Sequence, residues 1–146
     1  MYMQNKDLML FALEEAKKSD EFVGCGVVIA KDGEVVAKTY NMQRKTNNAS
    51  AHAEINAIGE AGKKLGSKNL DGCVIYCTCE PCSMCLSAII FAKIPKLFYG
   101  TSMQETFPDN LPITLTTEEL LAHSDHRIEI EGGFMKDECS ILLRKD

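Results

Sequence analysis

Residues 79–85 read Cys-Glu-Pro-Cys-Ser-Met-Cys, and residues 51–54 read Ala-His-Ala-Glu. An apolar pattern with helical spacing follows each stretch, which predicts helices over residues 52–65 and 82–92. Pro81 is predicted as the first residue of the later helix, because proline at this position loses no helical hydrogen bond. Both stretches therefore place reactive side chains at helix starts.

The two helix starts carry residue types that bind zinc. Cys82 and Cys85 are three positions apart, so they lie on one helix face with Cβ atoms about 5–6 Å apart, close enough for two thiolates to bind one Zn²⁺. The positive end of the helix favours those thiolates. His52 is the predicted third ligand, and three protein ligands leave the open position of a catalytic zinc site. Zinc lowers the pKa of a water ligand to about 7, and Glu54 is placed to accept its proton and pass it to a leaving nitrogen.

The rest of the chain alternates between helical and strand patterns. Lys31-Asp32-Gly33 is a hairpin turn, since Asp-Gly tolerates positive φ, so the sheet contains an antiparallel pair and is mixed. The segments 41–50 and 101–115 have no period and are predicted to be irregular. The order of elements predicts a layered α/β domain. The other predicted elements are helices over residues 5–18, 117–121 and 135–144, and strands over residues 27–30, 34–40, 73–78, 96–99 and 126–130.

Composition limits the class of protein. The chain has 146 residues, the size of one domain, with 45% hydrophobic and 25% charged residues, as in ordinary globular proteins. The net charge of −5 disfavours a nucleic-acid binder driven by charge. No apolar run is long enough for a membrane span, and the N-terminus does not have the pattern of a signal peptide. The seven cysteines are an odd number, which argues against a disulfide framework and favours a cytoplasmic location.

A second arrangement of the metal stays open at this point. Four cysteines between positions 77 and 85 are sufficient for a closed structural site, which would describe a zinc-stabilised module without catalysis. That arrangement leaves His52 and Glu54 without a role. Its ligands would be Cys77, Cys79, Cys82 and Cys85.

Together, H-x-E and the following P-C-x-x-C resemble the zinc-dependent nucleobase and nucleoside deaminases with the cytidine deaminase-like fold. The resemblance implies a three-layer α/β/α fold with a mixed five-stranded sheet, in one deaminase domain over residues 1–146. It implies one Zn²⁺ per chain and makes Glu54 the proton shuttle. It points to Asn41 as a residue that holds the base, with Ala53 and Asp109 as further candidate substrate contacts. Relatives are commonly dimers, so a homodimer is expected.

The substrate within this superfamily depends on weaker features. Residues 79–89 look most like guanine deaminases, and residues 100–103 lack the acid that tRNA adenosine deaminases carry. Residues 126–130 and 137–139 resemble the tRNA enzymes, but the sequence given stops before the basic final helix usual there. With the net charge, these features favour a free nucleobase or nucleoside, guanine first, and disfavour tRNA. Deamination of the tRNA wobble adenosine and of a cytosine or cytidine-type substrate are the alternatives.

Overall fold

The computed structural model describes residues 3–143, which fold around one five-stranded sheet. The strands are β1 (Gly26–Lys31), β2 (Glu34–Tyr40), β3 (Cys73–Cys79), β4 (Lys96–Thr101) and β5 (Glu129–Glu131). The helices are α1 (Asn5–Ala16), α2 (Gln43–Thr46), α3 (Ala53–Leu65), α4 (Ser83–Phe91), α5 (Met103–Thr106), α6 (Thr117–Leu121) and α7 (Lys136–Leu143).

The sheet is mixed, as the sequence predicts. Its strand order is β2-β1-β3-β4-β5. β1 is antiparallel to both β2 and β3, while β3, β4 and β5 are parallel to one another. The β1–β2 hairpin turns at Asp32 and Gly33, with φ of 53° and 77°, so the Asp-Gly prediction is confirmed.

Helices cover both faces of the sheet, which confirms the predicted three-layer α/β/α fold. On one face, α1 and α7 bury side chains such as Leu8, Met9 and Cys139 against Val28 and Phe98. On the opposite face, α3 and α4 pack on the other strand residues; this cluster includes Ala57, Ala61, Leu86, Ile89, Val27, Ile29, Ile75 and Leu97. Gly26 lets α1 lie close to β1, because a Cβ there would overlap the Ala12 carbonyl oxygen.

The structure differs from the sequence prediction mainly where elements are short. The predicted irregular segments 41–50 and 101–115 contain α2 and α5, whose four residues each are too few to show a helical period. Pro81 is not the first helical residue: Cys82, in an extended conformation, is the N-cap of α4. The last strand begins three residues later than predicted, where Glu129 pairs with Lys96.

Within residues 3–143, no helix is both long enough and apolar enough to cross a lipid bilayer.

Candidate active site

Two helices start side by side at the site. His52 is the N-cap of α3, and Cys82 is the N-cap of α4, which follows directly from the end of β3. Both helices lie on the same face of the sheet and contact each other. Their N-termini therefore meet, and the positive ends of two helix dipoles favour negative charge at the same point.

The predicted metal ligands come together with the spacing that zinc requires. His52 Nδ1 lies 3.8 Å from Cys82 Sγ and 3.5 Å from Cys85 Sγ. All three ligand atoms lie within 4.8 Å of one another. A tetrahedral zinc with bonds of about 2.0–2.1 Å to nitrogen and about 2.3 Å to sulfur separates such ligands by about 3.5 Å. The residues present therefore fit a zinc ion, and both distances from His52 are close to the value that zinc requires.

Hydrogen bonds among the three groups shift their pKa values, and only the pKa of Cys82 is lowered, as suits a thiolate ligand. A hydrogen bond from the Cys85 thiol is the main cause that lowers the pKa of Cys82 to about 4, and His52 contributes a second one. The same contact, together with burial, raises the pKa of Cys85, and the hydrogen bond to Cys82 raises the pKa of His52. Metal ligands bind in their deprotonated forms, so binding of a divalent cation here would release protons held by Cys85 and His52.

Glu54 adjoins the ligand set without belonging to it. It is the second residue of α3, is 7% exposed, and is not part of the group of potential ligand atoms. Burial raises the pKa of Glu54 to about 7, although hydrogen bonds from its own backbone N–H and from Cys85 oppose this shift. A carboxyl group with this pKa can take up and release a proton near neutral pH, as a general acid/base must.

A cavity of about 380 Å³ opens beside Glu54 and the ligands. Its size is at the lower end of the range for small-molecule sites, so it suits a single heterocyclic base. The wall includes Asn41 and Ala53, two of the predicted substrate contacts. The loop between β4 and α6 supplies another part of the wall, with Met103, Phe107, Asn110, Leu111, Pro112 and Ile113.

Asn41 is held rigidly at the edge of this cavity. Its Oδ1 accepts a 2.9 Å hydrogen bond from the Cys25 backbone N–H, and its Nδ2 donates a 2.9 Å bond to the Val23 carbonyl. One of the two amide hydrogens of Nδ2 and one lone pair of Oδ1 remain for other partners. The side chain therefore organises the segment before β1 and keeps polar capacity for a ligand.

The third predicted substrate contact is not at the cavity. Asp109 is exposed and lines a neighbouring surface depression instead, in the same β4–α6 loop. Gln43, which the sequence analysis did not single out, does line the cavity, and its Oε1 is a buried acceptor without a hydrogen-bond partner in the described residues. No pattern in a four-residue helix such as α2 could have pointed to it.

Cys25 and Cys79 also line the cavity, and the structure joins them in a disulfide. This differs from the expectation, drawn from the odd number of cysteines, that the chain has no disulfide framework. It also removes Cys79 from any four-cysteine metal site, and Cys77 is buried outside the ligand group found among the described residues. The closed structural site is therefore not the arrangement observed.

A mixed α/β/α fold with a His-Cys-Cys zinc centre and a buried carboxyl group defines a class of enzyme, the zinc-dependent hydrolytic deaminases of nucleobases and nucleosides. Residues 3–101 match the family model of the cytidine and deoxycytidylate deaminase zinc-binding region. The chain belongs to this family, and zinc is its cofactor.

Two relatives of known name show which members of the family this chain resembles in sequence. The chain is 38% identical over 136 residues to a tRNA-specific adenosine deaminase of Streptococcus pyogenes, covering 91% of this chain and 83% of that protein. It is 45% identical over 139 residues to a tRNA-specific adenosine deaminase of Agrobacterium fabrum, covering 94% of this chain and 90% of that protein.

Two solved structures resemble this chain over different shares of its length. One comes from studies of A-to-I editing by tRNA deaminases at the wobble position; it has a TM-score of 0.82 and 32% identity, and covers 95% of this chain and 100% of that one. The other is a guanine deaminase from Bacillus subtilis, with a TM-score of 0.64 and 38% identity, covering 68% of this chain and 66% of that one.

These comparisons correct two sequence-based predictions. The preference for a free purine such as guanine was wrong, and so was the expectation that tRNA is disfavoured as a partner. Relatives that are 38% and 45% identical over more than nine-tenths of this chain are named tRNA-specific adenosine deaminases. The net charge of −5 misled because it describes the whole surface, whereas RNA contacts depend on the charge close to the bound strand. The residue matches at 79–89 and 100–103 are too short to outweigh similarity over the whole chain.

Proposed function

We propose that this protein deaminates adenosine to inosine at the wobble position of tRNA. The observation that carries the proposal is sequence identity over nearly the whole chain: relatives named as tRNA-specific adenosine deaminases are 38% and 45% identical over 91% and 94% of it. The guanine deaminase at comparable identity covers only 68% of the chain.

In this proposal His52, Cys82 and Cys85 hold the zinc ion. Zinc supplies an acidified water as the nucleophile at neutral pH. Glu54 accepts a proton from the attacking water and delivers it to nitrogen, so that the amino group of the adenine leaves as ammonia and an oxygen from water takes its place. The burial that raises the pKa of Glu54 favours uptake of a proton by its carboxylate.

Other residues orient the base in the same proposal. Asn41 holds it with the hydrogen-bonding capacity that its contacts to Val23 and Cys25 leave free. The buried Ala53 gives a flat wall beside Glu54. A base in a duplex or a stacked loop reaches such a cavity only after leaving the stack, so the substrate must be presented as an extruded nucleotide.

The direct test is deamination of an anticodon stem-loop RNA with adenosine at the wobble position. We expect inosine and ammonia in equal amounts from this RNA, none with Glu54→Gln, and little from free adenosine or guanine. A matched RNA with the adenosine moved into the stem is the control. Turnover of free guanine that exceeds turnover of the stem-loop would refute the proposal.

We also propose that residues 1–146 act as one catalytic domain, that the protein works in the cytoplasm with the tRNA pool, and that it is a homodimer. The described helices pack on a single sheet, which supports one domain. For the homodimer, α4 contains no charged residue, and its Phe91 is 84% exposed beside Ile90 and Leu115. We expect light scattering to give twice the chain mass, and Phe91→Glu to give the monomer mass.

A further inference from the structure

The β4–α6 loop, residues 102–116, forms one wall of the cavity and contains little regular structure. Met103 and the segment 110–113 face the cavity, yet only α5 gives the loop internal helical hydrogen bonds. A wall that selects a substrate must hold its shape, so the contacts that fix the two ends of this loop matter for function.

One side chain bonds to both ends of the loop. Glu80 Oε1 accepts a 2.9 Å hydrogen bond from the backbone N–H of Met103, at the start of the loop. Glu80 Oε2 accepts a 2.7 Å bond from the hydroxyl of Thr117, just after its end. The backbone N–H of Glu80 also donates to the Thr101 carbonyl at 2.7 Å.

The position of Glu80 in the chain connects its hydrogen bonds with Met103 and Thr117 to the metal centre. Glu80 lies between the last residue of β3 and Cys82, the N-cap of α4. It is half-buried and itself lines the cavity. A shift of the loop is therefore resisted by the same short segment that presents a zinc ligand.

Among the described residues, the other side-chain hydrogen bonds and the ion pair of the loop do not join its two ends, although Phe107 packs against Val23 and Cys79. Ser102 and Glu105 cap α5 within the loop, and Thr101 contacts Thr106 at its start. The ion pair between Glu105 and Lys136 is 2.9 Å long but lies between side chains that are 42% and 51% exposed, where such pairs contribute little. Hydrogen bonds to a charged carboxylate are stronger, about twice the strength of neutral ones.

We propose that Glu80 is a positioning residue that fixes the β4–α6 loop against the metal-binding segment and thereby sets how tightly the cavity grips its nucleotide. The part that concerns the nucleotide rests on the proposed function; the fixing of the loop does not. Glu80 takes no part in the chemical step, so its loss affects substrate binding and leaves proton transfer by Glu54 intact.

The test compares Glu80→Ala with Glu80→Gln in the zinc-loaded protein. The alanine variant leaves the Met103 N–H without its acceptor and frees the Thr117 hydroxyl. In the glutamine variant, the amide oxygen accepts from Met103, and the Thr117 hydroxyl turns to accept from the amide N–H. Glu118→Ala is the matched control, because Glu118 is an exposed acid next to Thr117 on α6.

Hydrogen–deuterium exchange is the first readout, and it needs no substrate. We expect amide exchange across residues 102–117 to be at least tenfold faster in Glu80→Ala than in the wild type, from the loss of two hydrogen bonds to a charged group. Exchange in Glu80→Gln and Glu118→Ala should stay within about threefold of wild type. Equal exchange in wild type and Glu80→Ala would overturn the proposal.

Kinetics on the anticodon stem-loop is the second readout. We expect Glu80→Ala to raise KM about tenfold with kcat changed less than threefold and zinc content unchanged, and Glu80→Gln to restore KM. A fall in kcat without a change in KM, or loss of zinc, would assign Glu80 to the metal centre and overturn the proposal. If wild-type protein does not act on the stem-loop, the proposed function fails while exchange still decides the role of Glu80.

Discussion

Glu54→Gln is the substitution that separates the proton shuttle from the rest of the site. Glutamine has nearly the same shape as glutamate, but it neither accepts nor releases a proton at neutral pH. Glu54 is buried at the start of α3 and lies outside the ligand group, so the change leaves His52, Cys82 and Cys85 in place. We expect one zinc per chain in the variant, measured by elemental analysis.

The loss of activity follows from the two proton transfers assigned to Glu54. A positioned acid or base accelerates a single transfer by about 10²–10⁴, so the loss of both lowers kcat by about 10⁴ or more. The assay is inosine formation on the anticodon stem-loop RNA, with zinc content and circular dichroism as controls. A zinc-loaded, folded Glu54→Gln protein that keeps more than about a tenth of wild-type kcat would refute this role.

The same substitution should stabilise the metal-depleted protein, in a way that depends on pH. A rise in the pKa of Glu54 from 4.5 to about 7 corresponds to a penalty of about 3 kcal/mol for the ionised, buried carboxylate. Below pH 4.5 both folded and unfolded states hold the proton, so the penalty is absent; it grows as pH rises and is complete above pH 7. Urea unfolding in chelator should therefore show Glu54→Gln about 3 kcal/mol more stable than wild type at pH 8 and equal to it near pH 4. A gain that does not change with pH would contradict the burial of a titrating carboxyl group.

Three further outcomes are expected. Cys82→Ser should lower zinc affinity at least tenfold, because a hydroxyl replaces a thiolate ligand. The control Cys73→Ser, in β3 outside the ligand group, should keep one zinc per chain. A Cys82→Ser protein that still holds one zinc per chain would contradict the ligand set. Arg44 is exposed on α2 beside the cavity. Arg44→Ala should weaken stem-loop binding and reduce the slope of the logarithm of the binding constant against the logarithm of salt concentration by about 0.7–0.9. An unchanged slope would exclude a phosphate contact at Arg44. Unreduced, denatured protein in chelator should titrate as five free thiols, since Cys25 and Cys79 are paired; seven thiols would contradict that pairing.

The metal centre was predictable from the sequence because its chemistry is local. Two cysteines three positions apart at a helix start share a face whatever surrounds them. A histidine at a helix start is by itself more often solvated than a ligand, and His52 was assigned because H-x-E and P-C-x-x-C occur together in that order. The predicted hairpin turn at Asp32 and Gly33 was equally local, since it depends on backbone freedom at two residues. These features required no knowledge of which strands pair.

The features that were missed depend on pairing between distant segments. Val27 pairs with Cys77 across β1 and β3, and continuing this antiparallel register by two residues places Cys25 opposite Cys79. Their separation of 54 residues gives no hint of this before the register is known. The hydrogen bonds of Glu80 also depend on distant segments, because Met103 and Thr117 come within reach of Glu80 only when β4 and α6 are in place.

The residues of the zinc motif do not determine whether a deaminase of this family accepts a free base or tRNA. Any amino-bearing heterocycle must meet the same water, metal and carboxyl group, so His52, Glu54 and the two cysteine ligands serve every substrate of the family alike. A cavity of about 380 Å³ holds one base, and an RNA backbone must then lie outside it, against the cavity mouth. Discrimination therefore falls to the elements around the mouth, α2 and the β4–α6 loop, whose short and aperiodic sequences carry little signal. This is why the proposed substrate class rests on similarity over the whole chain rather than on the motifs, and why substitutions in these two segments, rather than at the metal, are expected to change what the enzyme accepts.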